Sequence, residues 1–97
     1  MAKSTQERAA LLRQAAIDGR RDQTDLFGMR MAIHDAFEST GTDSSQVCTL
    51  LISSRPPISD WDCRRLEMVA SLIEAEPEAR TEHLFRLCEM VAMIAPF

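Results

Sequence analysis

The sequence predicts an all-α protein: a small bundle of four to five helices in a single domain. Glycine and proline are scarce, with three and four copies in 97 residues, which suits a few helices better than many hairpins. Apolar residues recur at helical spacing, and several of these stretches follow a capping-box pattern. Apolar residues make up 45% of the chain, enough for a core. We expect helices at about 4–18, 23–39, 44–53, 60–75 and 78–95.

The first two helices are predicted from their end signals. Ser4 followed by Glu7 is a capping box, and Gly19 lies where a C-terminal glycine would end the helix. Asp22 followed by Asp25 can start the second helix. We therefore expect a short turn between the two helices.

The stretch "VCTLLISS", residues 47–54, is ambiguous between strand and helix. Its β-branched residues favour a strand, but Val47, Leu50 and Leu51 also have helical spacing. A lone strand would leave its backbone hydrogen bonds without partners. We therefore predict a short third helix, capped by Asp43.

The stretch "SSRPPISDWDCRR", residues 53–65, has two prolines that must end the third helix by Arg55, because proline disfavours helical geometry in the residue before it. A helix-turn-helix motif for reading DNA has a shorter turn, often with glycine. A polyproline ligand needs more than two prolines. We interpret the stretch as the end of one helix and the start of the next.

The starts of the last two helices carry recognisable signals. Ser59 with Asp62 is a second capping box, and Ile58 with Cys63 has the spacing of a hydrophobic staple. Pro77 can serve as the first residue of the fifth helix.

Three helices carry more apolar surface than one small core can bury. Helix four is apolar on one side through Cys63, Leu66, Val69, Ala70 and Ile73, while Trp61, Arg65, Met68 and Leu72 line up on nearly the opposite side. Helix two has one stripe of Leu26, Met29, Ile33 and Phe37, and a second of Phe27, Met31 and His34. On helix five, Met90 and Met93 widen an apolar surface made by Leu84, Phe85, Leu87, Cys88, Val91 and Ile94.

This surplus predicts a partner, because a large exposed apolar patch causes association. A homodimer is the default, since closed two-fold assemblies are the commonest. The predicted interface consists of Trp61, Arg65, Met68, Leu72, Met90, Met93 and Phe97. The alternative is a compact monomer in which helix four is the central helix.

The charge is uneven along the chain. Residues 1–21 carry a net charge of +3, and the total of −4 therefore leaves −7 for the remainder. An acidic body disfavours nucleic acid as a partner. The alternative is a nucleic-acid-associated regulator that uses Arg8, Arg13, Arg20 and Arg21, although Arg8 and Arg13 point about 140° apart on a helix. The basic first helix can equally face the acidic body of the protein itself.

The cysteines indicate reduced, buried thiols, because Cys48, Cys63 and Cys88 form an odd, widely spaced set. Cys63 near a helix start could be an activated nucleophile, which makes a Cys63-dependent enzyme the third alternative. No histidine has a sequence signature that ties it to this thiol. Short Cys or His pairs typical of zinc sites are missing, so we expect no metal and no cofactor.

The amino terminus, "MAKSTQERAA", has no apolar stretch of the signal-peptide type. The run Met90–Ala95 is far shorter than the ~20 residues that span a bilayer. We expect a cytoplasmic, non-enzymatic protein-protein interaction module that acts as a regulator, inhibitor or adaptor. In size and composition it is generally similar to short helical accessory proteins of bacteria and phages.

Overall fold

The computed structural model describes residues 3–79 and 81–94, and in these ranges the chain forms five α-helices and no strand. The predicted all-α class is confirmed. The helices are α1 Thr5–Arg21, α2 Leu26–Phe37, α3 Ser44–Leu51, α4 Asp60–Ala75 and α5 Thr81–Ala92, with a short 3₁₀ helix at Glu38–Thr40 after α2. The ambiguous stretch after Asp43 is therefore a helix.

The first helix organises the bundle, because α1 packs against both α4 and α2 and makes the most extensive contacts in the fold. Helix α5 packs against α3 and α4, and α3 also contacts α2. The helices share one hydrophobic core, and its largest fully buried side chains include Phe37, Leu12, Ile33, Leu51 and Leu66. Among the described residues of this core Phe37 is the one aromatic side chain, and the others are aliphatic side chains, Met29 and three cysteines.

The predicted capping signals start the helices where expected. In α1, the Glu7 amide donates to Ser4 Oγ at 3.1 Å, and the Ser4 amide donates to Glu7 Oε1 at 3.4 Å. In α4, Ser59 and Asp62 form the same reciprocal pair at 3.2 and 2.8 Å. The carboxylate of Asp43 accepts from two amides in the first turn of α3.

The prediction that Gly19 ends the first helix is wrong, because α1 continues to Arg21. Gly19 is buried inside the helix, where a Cβ atom would lie 2.6 Å from Met29 Cε and 3.3 Å from Cys63 Sγ. The glycine is therefore explained by the close packing of α1 against α2 and α4. The helix ends instead at Asp22, which has an extended backbone.

The second helix is shorter than predicted, because Asp22 does not belong to its cap. The Asp22 carboxylate accepts hydrogen bonds from the amide and the hydroxyl of Thr24, at 3.0 and 2.6 Å, and so fixes the turn between α1 and α2. Asp25 is the true N-cap and accepts from the Gly28 amide at 2.9 Å. The 3₁₀ helix after α2 ends at Gly41, whose φ of 76° favours glycine.

The prediction that Pro77 begins the fifth helix is also wrong. The Ala79 amide donates to the Glu76 carbonyl at 3.0 Å, which closes a turn with Pro77 at its second position. Proline is favoured there for the same reason that it is favoured at a helix start, a fixed φ. The described helix begins at Thr81 and ends at Ala92, so it is shorter than the predicted helix 78–95, because Met93 and Ile94 already lie outside it.

The stretch 53–65 connects α3 to α4 and contains the start of α4, as the sequence predicted. Helix α3 ends earlier than predicted, at Leu51. The two prolines lie in exposed bends between the helices. The buried Ile58 holds this connection in place, because its amide donates to the Gln23 carbonyl at 2.7 Å. The loop is therefore tied to the turn between α1 and α2.

Candidate protein-interaction groove

An apolar groove of about 730 Å³ runs between α4 and α5. We call it the α4–α5 groove. Five apolar side chains and three polar ones line it: Met68, Leu72, Met90, Val91 and Ile94, with Arg64, Glu67 and Ser71 on α4.

The groove follows from the two-sided pattern of α4. One side of this helix is buried in the core, including Leu66, Val69 and Ile73. Met68 and Leu72 point away from that side and only pack against the edge of the core, so they remain half-buried. The second stripe that the sequence predicted is therefore neither fully buried nor fully exposed.

The end of α5 extends the apolar surface beyond the groove. Met90 is 61% exposed, Met93 is 82% exposed and Ile94 is 42% exposed. Among the described residues, six large apolar side chains are exposed, and half of them therefore lie at this end of α5. Single exposed apolar residues are ordinary, but a contiguous set marks an interaction site.

The polar side chains of the groove are already paired. Arg64 Nε donates to Asp60 at 2.8 Å, and its guanidinium lies 5.7 Å from the centre of the Trp61 ring. Glu67 accepts from Arg20 Nη2 at 2.7 Å, and this hydrogen bond holds the pKa of Glu67 below its usual value. The lining therefore has one positive and one negative group, and no net charge.

The structure brings together three of the predicted interface residues, since Met68, Leu72 and Met90 all line the groove. Trp61 is half-buried on the same side of α4, nearer its start. Met93 lies one turn beyond Met90, exposed but outside the lining.

Arg65, a further predicted interface residue, does not line the groove. Arg65 Nη1 lies 3.5 Å from both the Leu51 carbonyl and Asp62 Oδ1, so its guanidinium is directed towards the end of α3. Phe97 lies outside the described residues.

Val91, Ile94 and the polar rim were not among the predicted interface residues. Val91 and Ile94 belong to the predicted apolar surface of α5, and their spacing with Met90 would have found them. The rim residues Arg64, Glu67 and Ser71 gave no such signal, because a charged helix surface usually faces solvent.

The predicted nucleic-acid arginines do not form one surface. Arg8 is buried: its Nε donates to the Ala36 carbonyl at 2.7 Å, and its guanidinium lies 5.8 Å from the Phe37 ring centre. Burial lowers the pKa of Arg8. This arginine therefore joins α1 to α2.

Arg13 and Arg20 join α1 to α4. Arg13 forms an ion pair with Glu74, and Arg20 pairs with Glu67 and also with Asp60, the latter at 3.1 Å. Arg21, at the end of α1, is exposed. The basic first helix faces the acidic fourth helix of the same chain.

The three cysteines are free and buried, as predicted. Burial raises the pKa of Cys63 above its ordinary value and raises that of Cys88 to about 12. Cys63 is 1% exposed, although it lies near the start of α4. A buried, neutral thiol is a poor nucleophile, so the geometry does not favour the third alternative.

The residues that the structure describes contain neither a candidate metal cluster nor a candidate membrane-spanning helix. His, Cys, Asp and Glu side chains nowhere gather in groups of three or more that could hold a metal ion, within residues 3–79 and 81–94. In the same ranges, every helix is too short or too polar to cross a bilayer.

Comparisons with protein-family models, curated proteins and solved structures gave no match to this chain. The geometry of the described residues is therefore the basis for assigning a function.

Proposed function

We propose that this protein is a non-enzymatic protein-protein interaction module, a regulator, inhibitor or adaptor, that forms a homodimer through the α4–α5 groove. One observation carries the proposal. The half-buried Met68 and Leu72 line the groove together with the exposed Met90 and Ile94, so apolar surface is shared by two helices. Covering such surface is favourable by ~25 cal/mol per Å².

The groove suits a polypeptide better than a small molecule. Small-molecule sites combine apolar walls with a few convergent polar groups that fix the ligand. In this groove the two charged groups, Arg64 and Glu67, already have partners in the chain. Methionine side chains are flexible and adapt to the irregular surface of a partner. The apolar face of a partner helix would fill the groove.

A second copy of the chain is the occupant that the charges support. In a two-fold interface the same patch meets itself, so a charged patch would repel its own copy. The lining of the α4–α5 groove has no net charge, because Arg64 and Glu67 offset each other. A stable dimer buries ~800 Å² on each protomer, which requires the outer sides of both α4 and α5.

The non-enzymatic part of the proposal is supported by the state of the reactive side chains. Cys63 is buried with a raised pKa. Free thiols also persist in a reducing compartment, which supports the predicted cytoplasmic location.

Light scattering after gel filtration tests the dimer, with two matched variants. The wild-type chain is expected to elute at twice the mass of one chain at concentrations of about 100 μM, corresponding to weak-to-moderate affinity. Met90→Glu places a charge in the groove and is expected to weaken dimerisation at least ~10-fold. Met31→Glu makes the same change at another exposed methionine, on α2, and is expected to leave the dimer intact.

Two outcomes would contradict the proposal. A wild-type chain that is still a monomer at about 100 μM would rule out the homodimer. Dimers of equal strength in both variants would move the interface away from the groove.

A further inference from the structure

A second apolar surface lies on α2, away from the α4–α5 groove. Phe27 is 75% exposed and Met31 is 43% exposed, and because they are four residues apart on a helix they share one side of it. Beside them a groove of about 240 Å³ runs between α1 and α2, with Leu11, Ala15 and Met31 among its apolar residues. We call this combined region the Phe27 surface. It shares no residue and no helix with the α4–α5 groove.

The groove of the Phe27 surface is acidic. It is lined by Asp18, Asp25 and Asp35, and none of the described Lys, Arg or His side chains lines it. Asp18 accepts from the Gln14 amide group and Asp25 from the backbone of Gly28, both at 2.9 Å and both from neutral donors. Within the described residues these three carboxylates form no salt bridge.

This charge disfavours a second copy as the occupant. A two-fold contact here would bring three carboxylates against three carboxylates, and like charges facing each other across an interface disfavour the pairing. The same argument does not apply to the α4–α5 groove, whose lining is neutral. The two apolar surfaces therefore differ in the partner that they can accept.

We infer that the Phe27 surface binds a basic amphipathic helix of a different protein. The apolar side of that helix would cover Phe27 and Met31, and its Lys or Arg side chains would pair with Asp18, Asp25 and Asp35. A groove between two packed helices is the shape that receives a third helix. Charge complementarity steers such a partner and sets its orientation. A dimer joined through α4 and α5 would then present two copies of this surface, as an adaptor does.

A synthetic peptide tests the inference. The probe is an 18-residue, fluorescein-labelled peptide with leucine on one side of a helix and lysine on the other, and fluorescence anisotropy measures its binding to the full chain. The wild-type protein is expected to bind it. A peptide of the same composition, with a scrambled order that destroys the apolar side, is expected to bind at least ~10-fold more weakly.

Matched variants locate the binding. Phe27→Ser and Asp35→Asn are each expected to weaken binding of the peptide by ~5-fold or more. The control removes an exposed carboxylate from α5, as Glu89→Gln, and is expected to leave the affinity within ~2-fold of wild type. Light scattering keeps the two proposals separate, because Phe27→Ser is expected to remain a dimer.

Three outcomes would overturn the inference. These are equal binding of the ordered and scrambled peptides, unchanged affinity in Phe27→Ser, or no binding by the wild-type chain. Each can occur whether or not the protein dimerises through the α4–α5 groove.

Discussion

Asp62 is a buried carboxylate that fixes the start of α4, with only 1% of its surface exposed. It accepts from the Ser59 amide at 2.8 Å, and from the amide and hydroxyl of Ser53 at 3.2 and 2.9 Å. Arg65 lies 3.5 Å away and balances its charge. One side chain therefore joins the loop after α3 to the first turn of α4, the helix that forms one wall of the groove.

Replacement of Asp62 by alanine is expected to lower the free energy of unfolding by ~2–4 kcal/mol, because it leaves buried donors without an acceptor and removes a helix cap. Asp62→Asn keeps one acceptor oxygen and is expected to cost less. Urea unfolding followed by circular dichroism measures both.

The matched control is Asp60→Ala, which removes an exposed carboxylate from the same turn. Its ion pairs are at the surface, so their loss is expected to lower the free energy of unfolding less than the loss of Asp62 does. If Asp62→Ala and Asp60→Ala cost the same, the buried carboxylate does not have the structural role assigned to it.

Individual residues also show where sequence reasoning stops. Gly19 has the sequence signal of a helix end, but the reason for the glycine is the position of Met29 and Cys63, which only the packed fold supplies. Pro77 suits a helix start and the second position of a turn equally well, since both use the same φ. Arg65 lies in the apolar stripe by helical spacing, but its long side chain reaches the Leu51 carbonyl.

At the scale of elements, α1 and α4 are joined by ion pairs along their length. Arg20 pairs with Asp60 and Glu67, and Arg13 pairs with Glu74. Hydrogen bonds to the arginines hold the pKa of each of these three carboxyls below its ordinary value. Ionised carboxylates therefore favour the folded state.

The sign of this effect predicts a loss of stability in acid. The contribution is fully present above the ordinary carboxyl pKa values of 3.8 and 4.5, and it is lost as the pH falls through the lower values of the folded state. Because the pairs are at the surface and screened by solvent, the loss of stability from this source is expected to be small. Urea unfolding midpoints, measured from about pH 5.5 to pH 3, measure this loss of stability.

The variant Arg20→Gln isolates the ion pairs from other acid effects. Its stability is expected to fall less steeply with decreasing pH than that of the wild type. Arg86→Gln, on α5 and away from these pairs, is expected to follow the wild-type curve. Parallel curves for all three proteins would show that the α1–α4 pairs do not produce the acid dependence.

The order of helices was predictable because the signals that fix it are local. Ser4, Asp43 and Ser59 begin their helices through side-chain hydrogen bonds within one turn, and such contacts depend on near neighbours in sequence. The start of the fifth helix and the end of the first were predicted less well, since Pro77 suits both a helix start and a turn, and the glycine signal at Gly19 comes from packing inside α1. The groove was partly predictable, because the spacing of Met68 and Leu72 shows a second apolar side but not which helix lies beside it.

At the scale of the whole molecule, the uneven charge of the sequence has two results. The arginines of α1 pair with the carboxylates of α4 and so are used within the fold. The acidic excess is distributed unequally between the two apolar surfaces. The α4–α5 groove is neutral, whereas the Phe27 surface has three carboxylates and no cation in its lining. Charge therefore separates a surface suited to a second copy from one suited to a basic partner.

The most direct test of this account is methionine oxidation by hydrogen peroxide, measured by mass spectrometry at low and high protein concentration. Met90 reports on the α4–α5 groove, and Met31, exposed on α2, is the internal reference. Between about 1 μM and about 200 μM, a range that spans the affinity of a weak dimer, Met90 is expected to become protected while Met31 oxidises at a constant rate. A ratio of Met90 to Met31 oxidation rates that stays the same from low to high protein concentration would contradict the account.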